Sequence, residues 1–372
     1  ETGEPLEIDG KEVTAETVFK AEKSEGTAEV TFVFDGTGIK GKTLVVFESL
    51  LFEEKEIAVH ADISDEGQTI FFPEIGTTAK DTETNSHVSK ADEEVTIVDT
   101  VAYKNLIPGK EYKVSGMLMD KETGKELLVN EKNVTAETVF TPEKPEGSVE
   151  LTFTFDGSAL NGKTIVAFET VTYQEKEVAT HTDIEDQEQS IYFPLIHTTA
   201  KDGADGDKEM VESEKITLVD TVEYKNLEAG QEYKVSGVLM DKATGEALLV
   251  KEKPVTAETV FKAEKSEGKV DVTFTFDGTG LVNRELVVFE KLYFVSEDLE
   301  VEVTSHEDIE DEGQTVRVVE KETPKPETPG KPTPKTGDDS HVGLWIALSA
   351  LAAAGIAAFS VLHFRKNKKK EK

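Results

Sequence analysis

Ser148-Val149-Glu150-Leu151-Thr152-Phe153-Thr154-Phe155 alternates polar and apolar residues and ends at the turn pair Asp156-Gly157. Such alternation marks a strand with one face buried. Thr164 to Glu169, Ser190 to Phe193 and Lys110 to Gly116 read as further strands. Pro108-Gly109, Thr123-Gly124 and Asn161-Gly162 supply turns between them. The segment Thr135 to Val139 is open to a single helical turn. Short strands with regular turn signals predict an all-β fold of tandem immunoglobulin-like (CnaB-like) β-sandwich domains.

The strands recur. Val134-Thr135-Ala136-Glu137-Thr138-Val139-Phe140 returns as Val255 to Phe261 and as Val13 to Phe19. Thr77-Thr78-Ala79-Lys80-Asp81 returns as Thr198 to Asp202, and Val98-Asp99-Thr100-Val101 as Val219 to Val222. Every pair is 121 residues apart, until four residues are inserted ahead of His306. A period this long means whole domains in tandem rather than solenoid units. Glu1-Thr2-Gly3 aligns with Glu122-Thr123-Gly124, inside the second copy. Residues 1–77 are therefore read as a partial sandwich without its first strand, and 78–197 and 198–320 as complete ones.

Composition narrows the function. The 372 residues carry a net charge of −35 and no cysteine. Nucleic acid is then an unlikely partner on charge grounds, and disulfides and thiolate metal sites are excluded. Residues 321–340 form a Pro-rich linker, with Pro324, Pro326, Pro329, Pro332 and Pro334 spaced by Lys, Thr and Glu, a composition for an extended spacer through a cell wall. Val342 to Leu362 is an apolar run of membrane-spanning length, within a transmembrane helix assigned to 341–364. Residues 365–372 form a basic tail, which places that end in the cytoplasm and the acidic bulk outside. No signal peptide precedes Glu1, so the chain is read as beginning inside a longer one.

Thr333-Pro334-Lys335-Thr336-Gly337, the apolar run and the basic tail follow in that order. The arrangement resembles the sortase sorting signal Leu-Pro-x-Thr-Gly of Gram-positive surface proteins, with Thr333 in place of the leucine. The resemblance implies two partners: a sortase that cuts after Thr336, and peptidoglycan joined covalently to Thr336. The chain would span the membrane only before sorting.

A second constellation repeats three times. His60, His181 and His306 each open the pattern His-x-Asp-Ile-x-Asp-x-x-Gln, which holds Asp65, Asp186 and Asp311 and closes on Gln68, Gln189 and Gln314. Upstream of each stands Phe-Glu, ending at Glu48, Glu169 and Glu290. Imidazole titrates near neutrality and suits proton transfer. A buried glutamate that keeps its proton suits donation to a leaving amide nitrogen.

Val166-Ala167-Phe168-Glu169, Asp99-Thr100-Val101 and the histidine pattern together resemble the VaFE-repeat, or Thr-Gln ester-bond, domains of Gram-positive surface adhesins. The resemblance covers residues 1 to 320. It implies autocatalytic esters pairing Thr100 with Gln189 and Thr221 with Gln314, with Gln68 left to a threonine outside this chain. It also implies a cell-wall-anchored stalk presenting a host-binding region that precedes Glu1. Each domain would react once, so no turnover, cofactor or metal is expected. Alternation leaves Thr221 unplaced, because both faces of its strand mix apolar and acidic residues. Asp99 and Asp220, beside the threonines, could participate, but the favoured reading turns them outward as solvated neighbours.

Four other readings rank lower. The repeats could themselves bind a host protein or glycan, but Trp345, the only tryptophan, lies in the apolar run. A hydrolase using Glu169 and His181 sits poorly with tandem copies. A metal site at His181 and Asp183 offers few ligands. A Lys–Asn isopeptide lacks an asparagine in the closing pattern.

Overall fold

Strand pairing resolves the chain into two complete β-sandwiches preceded by a smaller set of hairpins. The computed structural model describes residues 2–297 and 299–321. The linker, the sorting motif Thr333 to Gly337, the apolar run and the basic tail lie outside the described residues. Among the described residues no helix is long and apolar enough to cross a membrane.

In the second repeat, Gly147–Phe155, Val95–Lys104 and Glu74–Asp81 form one antiparallel sheet in that order. The facing sheet is built on Tyr112–Asp120 and Thr164–Tyr173, flanked by Thr135–Phe140, Lys176–His181 and Ser190–Tyr192. The third repeat copies this plan. Gly268–Phe276, Ile216–Lys225 and Leu195–Asp202 make the three-stranded sheet. It adds Glu209–Val211, parallel to the last strand Thr315–Val319.

The alternation Leu151, Phe153, Phe155 does face a core, where Ile97, Val101, Val114 and Leu118 also lie. The sheets approach closely at one glycine per repeat. A Cβ on Gly237 would lie 2.5 Å from Phe274 Cζ, and one on Gly116 2.6 Å from Phe153 Cζ. No side chain fits there without moving the aromatic ring.

Two expectations need correcting. Thr135 to Val139 is strand, not a helical turn, because its backbone pairs with Tyr112–Asp120 from Thr135↔Met117 to Phe140↔Tyr112. Tertiary pairing overrides a weak local preference there. The boundaries at 77/78 and 197/198 fall inside the strands Glu74–Asp81 and Leu195–Asp202, which open their sandwiches.

The first repeat lacks counterparts of these opening sheets among the described residues. It has short pairs only, Thr43–Val45 with Thr69–Phe71 and Glu48–Phe52 with Lys55–His60. Ile39 is its one buried hydrophobic residue. Val18, Val33 and Phe52 stay exposed, since no second sheet covers them.

One device repeats at both junctions. Asn226 Nδ2 donates to the carbonyls of Lys163 (2.5 Å) and Phe193 (3.1 Å), and its Oδ1 accepts from Thr164 Oγ1 at 2.8 Å. Asn105 makes the same three bonds to Lys42, Phe72 and Thr43, at 2.6, 3.3 and 2.9 Å. Both asparagines sit in the left-handed region, at φ 62° and 64°, which asparagine tolerates better than other non-glycine residues. Lys90 Nζ also reaches Glu302 across the second junction, at 2.8 Å.

Candidate cross-linking site

The site of the third repeat begins with a strand pattern. Leu195–Asp202 turns Ile196, Thr198, Ala200 and Asp202 inward and leaves His197 outside. Beside it, Ile216–Lys225 buries Ile216, Leu218, Asp220, Val222 and Tyr224 on one face. Asp220 is thus an inward residue, not a solvated neighbour. Thr221 takes the other face, where its Oγ1 donates to Asp271 Oδ1 at 2.8 Å. Thr100 likewise lies on the outer face of Val95–Lys104, while Asp99 is fully buried. The structure therefore does not bring Thr100 or Thr221 to the glutamines. The threonines that it does bring are Thr77 and Thr198.

The facing sheet supplies the rest. Glu290 sits fully buried in the strand Glu285–Ser296, directly across from His306. Gln314, also fully buried, immediately precedes the last strand. Its Nε2 donates to both Thr198 Oγ1 and Glu290 Oε2. Thr198 Oγ1 donates in turn to Glu290 Oε2 at 3.1 Å. The backbone pins this arrangement, with Ala200 N donating to Gly313 O at 3.1 Å and Val288 N to Gln314 O at 3.3 Å.

Asp311 organises the approach to Gln314. Its Oδ1 accepts from Gly313 N at 2.6 Å, and its Oδ2 lies 3.1 Å from His306 Nε2. That contact places the ring proton on Nε2 and leaves Nδ1 as the free base. His306 Nδ1 is buried without a hydrogen-bond partner. Asp186 serves His181 in the same way at 2.9 Å, and Asp65 serves His60 at 2.7 Å.

The second repeat assembles the same groups. Gln189 Nε2 donates to Glu169 Oε2, and Thr77 is buried against Glu169. Thr77 Oγ1 has no hydrogen-bond partner, unlike Thr198 Oγ1. In the first repeat Gln68 Nε2 donates to Glu48 Oε2, and Glu48 again faces His60. No counterpart of Thr198 or Asp220 joins that trio among the described residues.

Electrostatics set the protonation state of the complete sites. Burial, then the charge of Asp99, pushes Glu169 up to about 9. Burial pushes Asp99 up to about 6. Glu290 is raised by burial, then by its hydrogen bond to Asp220 and the charge of that carboxylate, and Asp220 is raised by burial. Glu169 Oε1 and both oxygens of Asp99 lack donors, as do Glu290 Oε1 and both oxygens of Asp220. Buried orphans of this kind are rare. One proton held between the two carboxyls of each pair gives the glutamate oxygen and one aspartate oxygen a partner. Each complete site then holds a hydroxyl, an amide, a protonated glutamate, an aspartate and an imidazole.

The missed residues had a signal. Thr-Thr-Ala-Lys-Asp is identical in both copies, and its alternation places the first threonine on the face of the alanine.

A family model for the T-Q ester bond containing domain matches residues 1–72, 73–193 and 194–318. The chain belongs to that family. The second and third T-Q repeats so defined begin one residue ahead of the opening strands Glu74–Asp81 and Leu195–Asp202. Distant solved structures include a Mobiluncus mulieris bacterial adhesin containing intramolecular disulfide, isopeptide and ester bond cross-links. It is 15% identical, over 59% of this chain and 80% of that one, with a TM-score of 0.29. The C-terminal domain of the Streptococcus pyogenes antigen I/II-family protein AspA is 10% identical, over 63% and 98%, with a TM-score of 0.29. A search of curated proteins gave no match.

Proposed function

We propose that the second and third repeats form internal esters, Thr77 with Gln189 and Thr198 with Gln314, and that the chain is the structural stalk of a bacterial surface adhesin. The observation that carries this reading is the buried contact of Thr198 Oγ1 with the Gln314 amide and Glu290, made across 116 residues.

The chemistry follows from the groups in place. Thr198 Oγ1 attacks Gln314 Cδ. His306 Nδ1 serves as the base that receives the hydroxyl proton. The C–O bond forms and the C–Nε2 bond breaks. The amide nitrogen leaves as ammonia, carrying its own two hydrogens and one proton relayed by Glu290. Glu290 is then reprotonated from His306, so the net change is loss of one ammonia. Asp220 holds the Glu290 proton in position until transfer. Fixed proximity in a dry site replaces an external enzyme, and no turnover follows.

The bond would join the first strand of a repeat to the start of its last. Tension entering at one end would leave at the other through covalent links and bypass the sheets. Closing a loop of 116 residues is worth about 5 kcal/mol by analogy with a disulfide. Sorting by a sortase through Thr333 to Gly337, anchoring to peptidoglycan at Thr336 and an extracellular location are part of the same proposal, supported by the sequence of the C-terminal segment.

The test is the intact mass of the purified chain. Two ammonias should be missing, one restored by Thr77→Ala and one by Thr198→Ala, with Thr100→Ala and Thr221→Ala silent. An unmodified mass in the parent chain would sink the ester reading.

A further inference from the structure

Among the residues beside this site that differ between the third repeat and the second, one adds a metal-ligating side chain. His197 stands where the second repeat has Gly76, one position before the buried threonine. The strand Leu195–Asp202 sends His197 outward, to the mouth of the site rather than its interior. There it meets His306, with ring centroids 5.4 Å apart and planes inclined by 31°. Asp311 completes a cluster in which one ligand atom from each of His197, His306 and Asp311 lies within 4.8 Å of the others.

We infer that His197, His306 and Asp311 form a binding site for one divalent transition-metal ion of the zinc class, present in the third repeat and absent from the second. The donor set is two imidazole nitrogens and one carboxylate oxygen. That set suits Zn²⁺, Ni²⁺ or Cu²⁺, whereas Mg²⁺ and Ca²⁺ prefer oxygen alone. Three protein ligands with one open position is a recurrent zinc arrangement.

The spacing is close to what such an ion needs. Ligands held about 2.0–2.1 Å from a tetrahedral centre are separated by roughly 3.3 Å, and His306 Nε2 already lies 3.1 Å from Asp311 Oδ2. His197 is exposed and free to rotate the remaining ångström or so. Asp311 is fixed by the N–H of Gly313, and His306 by its strand, so two of the three ligands are preset. Glu223, directly across the strand pair from His197, adds negative potential although its carboxylate is bonded to Lys269.

The site has a consequence that rests on the ester reading. A metal on Nε2 of His306 displaces that proton and holds the other on Nδ1. The base that faces the reaction is then lost. Metal bound before closure would stall the third repeat and leave the second free to react.

Binding can be tested without reference to the ester. The full chain, stripped with a chelator, would be titrated with Zn²⁺ by calorimetry and with Co²⁺ by visible absorption. One equivalent should bind, with the d–d bands of a site containing nitrogen ligands. His197→Gly installs the residue that the second repeat tolerates, and should weaken binding at least about tenfold. Gly76→His should add a second equivalent beside His181 and Asp186, since a Cβ on Gly76 meets nothing within 4 Å. Equal Zn²⁺ affinity in the parent and His197→Gly chains would overturn the proposal, as would no binding to the parent chain. Thr198→Ala should bind Zn²⁺ as the parent does. The intact mass reports the ester separately, so the two readings fail independently.

Discussion

The first and third repeats carry the same glutamate, histidine, aspartate and glutamine at matched positions, yet they make different environments of them. Glu290 is fully buried, whereas Glu48 is only half-buried. The His306 side chain is 19% exposed and that of His60 is 55% exposed. Leu292 is sealed in the core, and its counterpart Leu50 is 42% exposed. The local pieces are intact in both: the Glu–His pairing, the Asp–His bond and the Gln–Glu bond all form. The difference is the opposing three-stranded sheet, which brings Thr198 and Asp220 to the third repeat and shuts out water. A motif positions the groups on one sheet, and the second sheet gives them their chemistry.

The sharpest way to break that comparison is to remove the nucleophile. Thr198→Ala should restore one ammonia to the mass and lower the stability of the third repeat by about 5 kcal/mol, the loop-closure term. Calorimetry of the variant against the parent would read it. Gln68 should remain an amide throughout, because no threonine faces it among the described residues. Peptide mapping that found Gln68 esterified would mean that burial by the second sheet is not required.

Next comes the proton. Glu290→Gln keeps the shape of the side chain but holds no transferable acid proton, and Asp220→Asn removes the partner that retains it. Each should abolish or slow ester formation in the third repeat by at least roughly 100-fold, the scale of a lost general acid. The second repeat should still lose its ammonia. Time-resolved mass spectrometry after expression would show one deficit in place of two.

Much of this fold was legible before any coordinates. Ser148 to Phe155 announces its buried face by strict alternation, and the 121-residue period announces the tandem units. Which strand brings its threonine to the glutamine was not legible. In Ile216–Lys225 both faces mix apolar and acidic residues, so Thr221 and Asp220 are equally placed by periodicity alone. Asp220 reads as a solvated charge because ionised residues are seldom buried. What buries it is the opposite sheet, a contact distant in sequence. Thr135 to Phe140 misled for the same reason, since its strand state depends on pairing with Tyr112–Asp120. The Asn105 and Asn226 clamps were invisible too, because an asparagine after a strand reads as an ordinary turn.

The third effect is pH dependence in a chain that cannot cross-link. In the Thr77→Ala, Thr198→Ala double variant, Glu169 and Glu290 remain buried carboxyls. Burial raises Glu169 from an ordinary 4.5 to about 9 in the folded chain, and Asp99 from 3.8 to about 6. The folded state therefore keeps protons that the unfolded chain releases above its ordinary carboxylate range. The stabilisation is full below that range and is lost as pH rises through the folded values. The melting temperature should fall steadily between about pH 5 and pH 9. A flat or rising profile across that window would show that the carboxyl pairs are not proton-sharing.

The smallest effect concerns how the repeats are joined. Asn226 ties the third repeat to two carbonyls and one hydroxyl of the second, at the end of Ser190–Tyr192 and the start of Thr164–Tyr173. Its amide lies outside either reaction site, so Asn226→Ala should leave both ammonia losses unchanged. The variant loses up to three hydrogen bonds worth about 1 kcal/mol each, partly offset because water can reach the exposed carbonyls. It also places alanine at φ 62°, a conformation that costs roughly 1 kcal/mol without glycine or asparagine. The junction should therefore loosen while the domains stay closed. Hydrogen exchange at Lys163, Phe193 and Asn226 should rise in the variant, with the sandwich cores unaffected. Asn226→Gly separates the two costs, since it relieves the backbone and still lacks the amide. If Asn226→Gly restored parental exchange, the clamp would be a matter of backbone conformation rather than of hydrogen bonds between repeats.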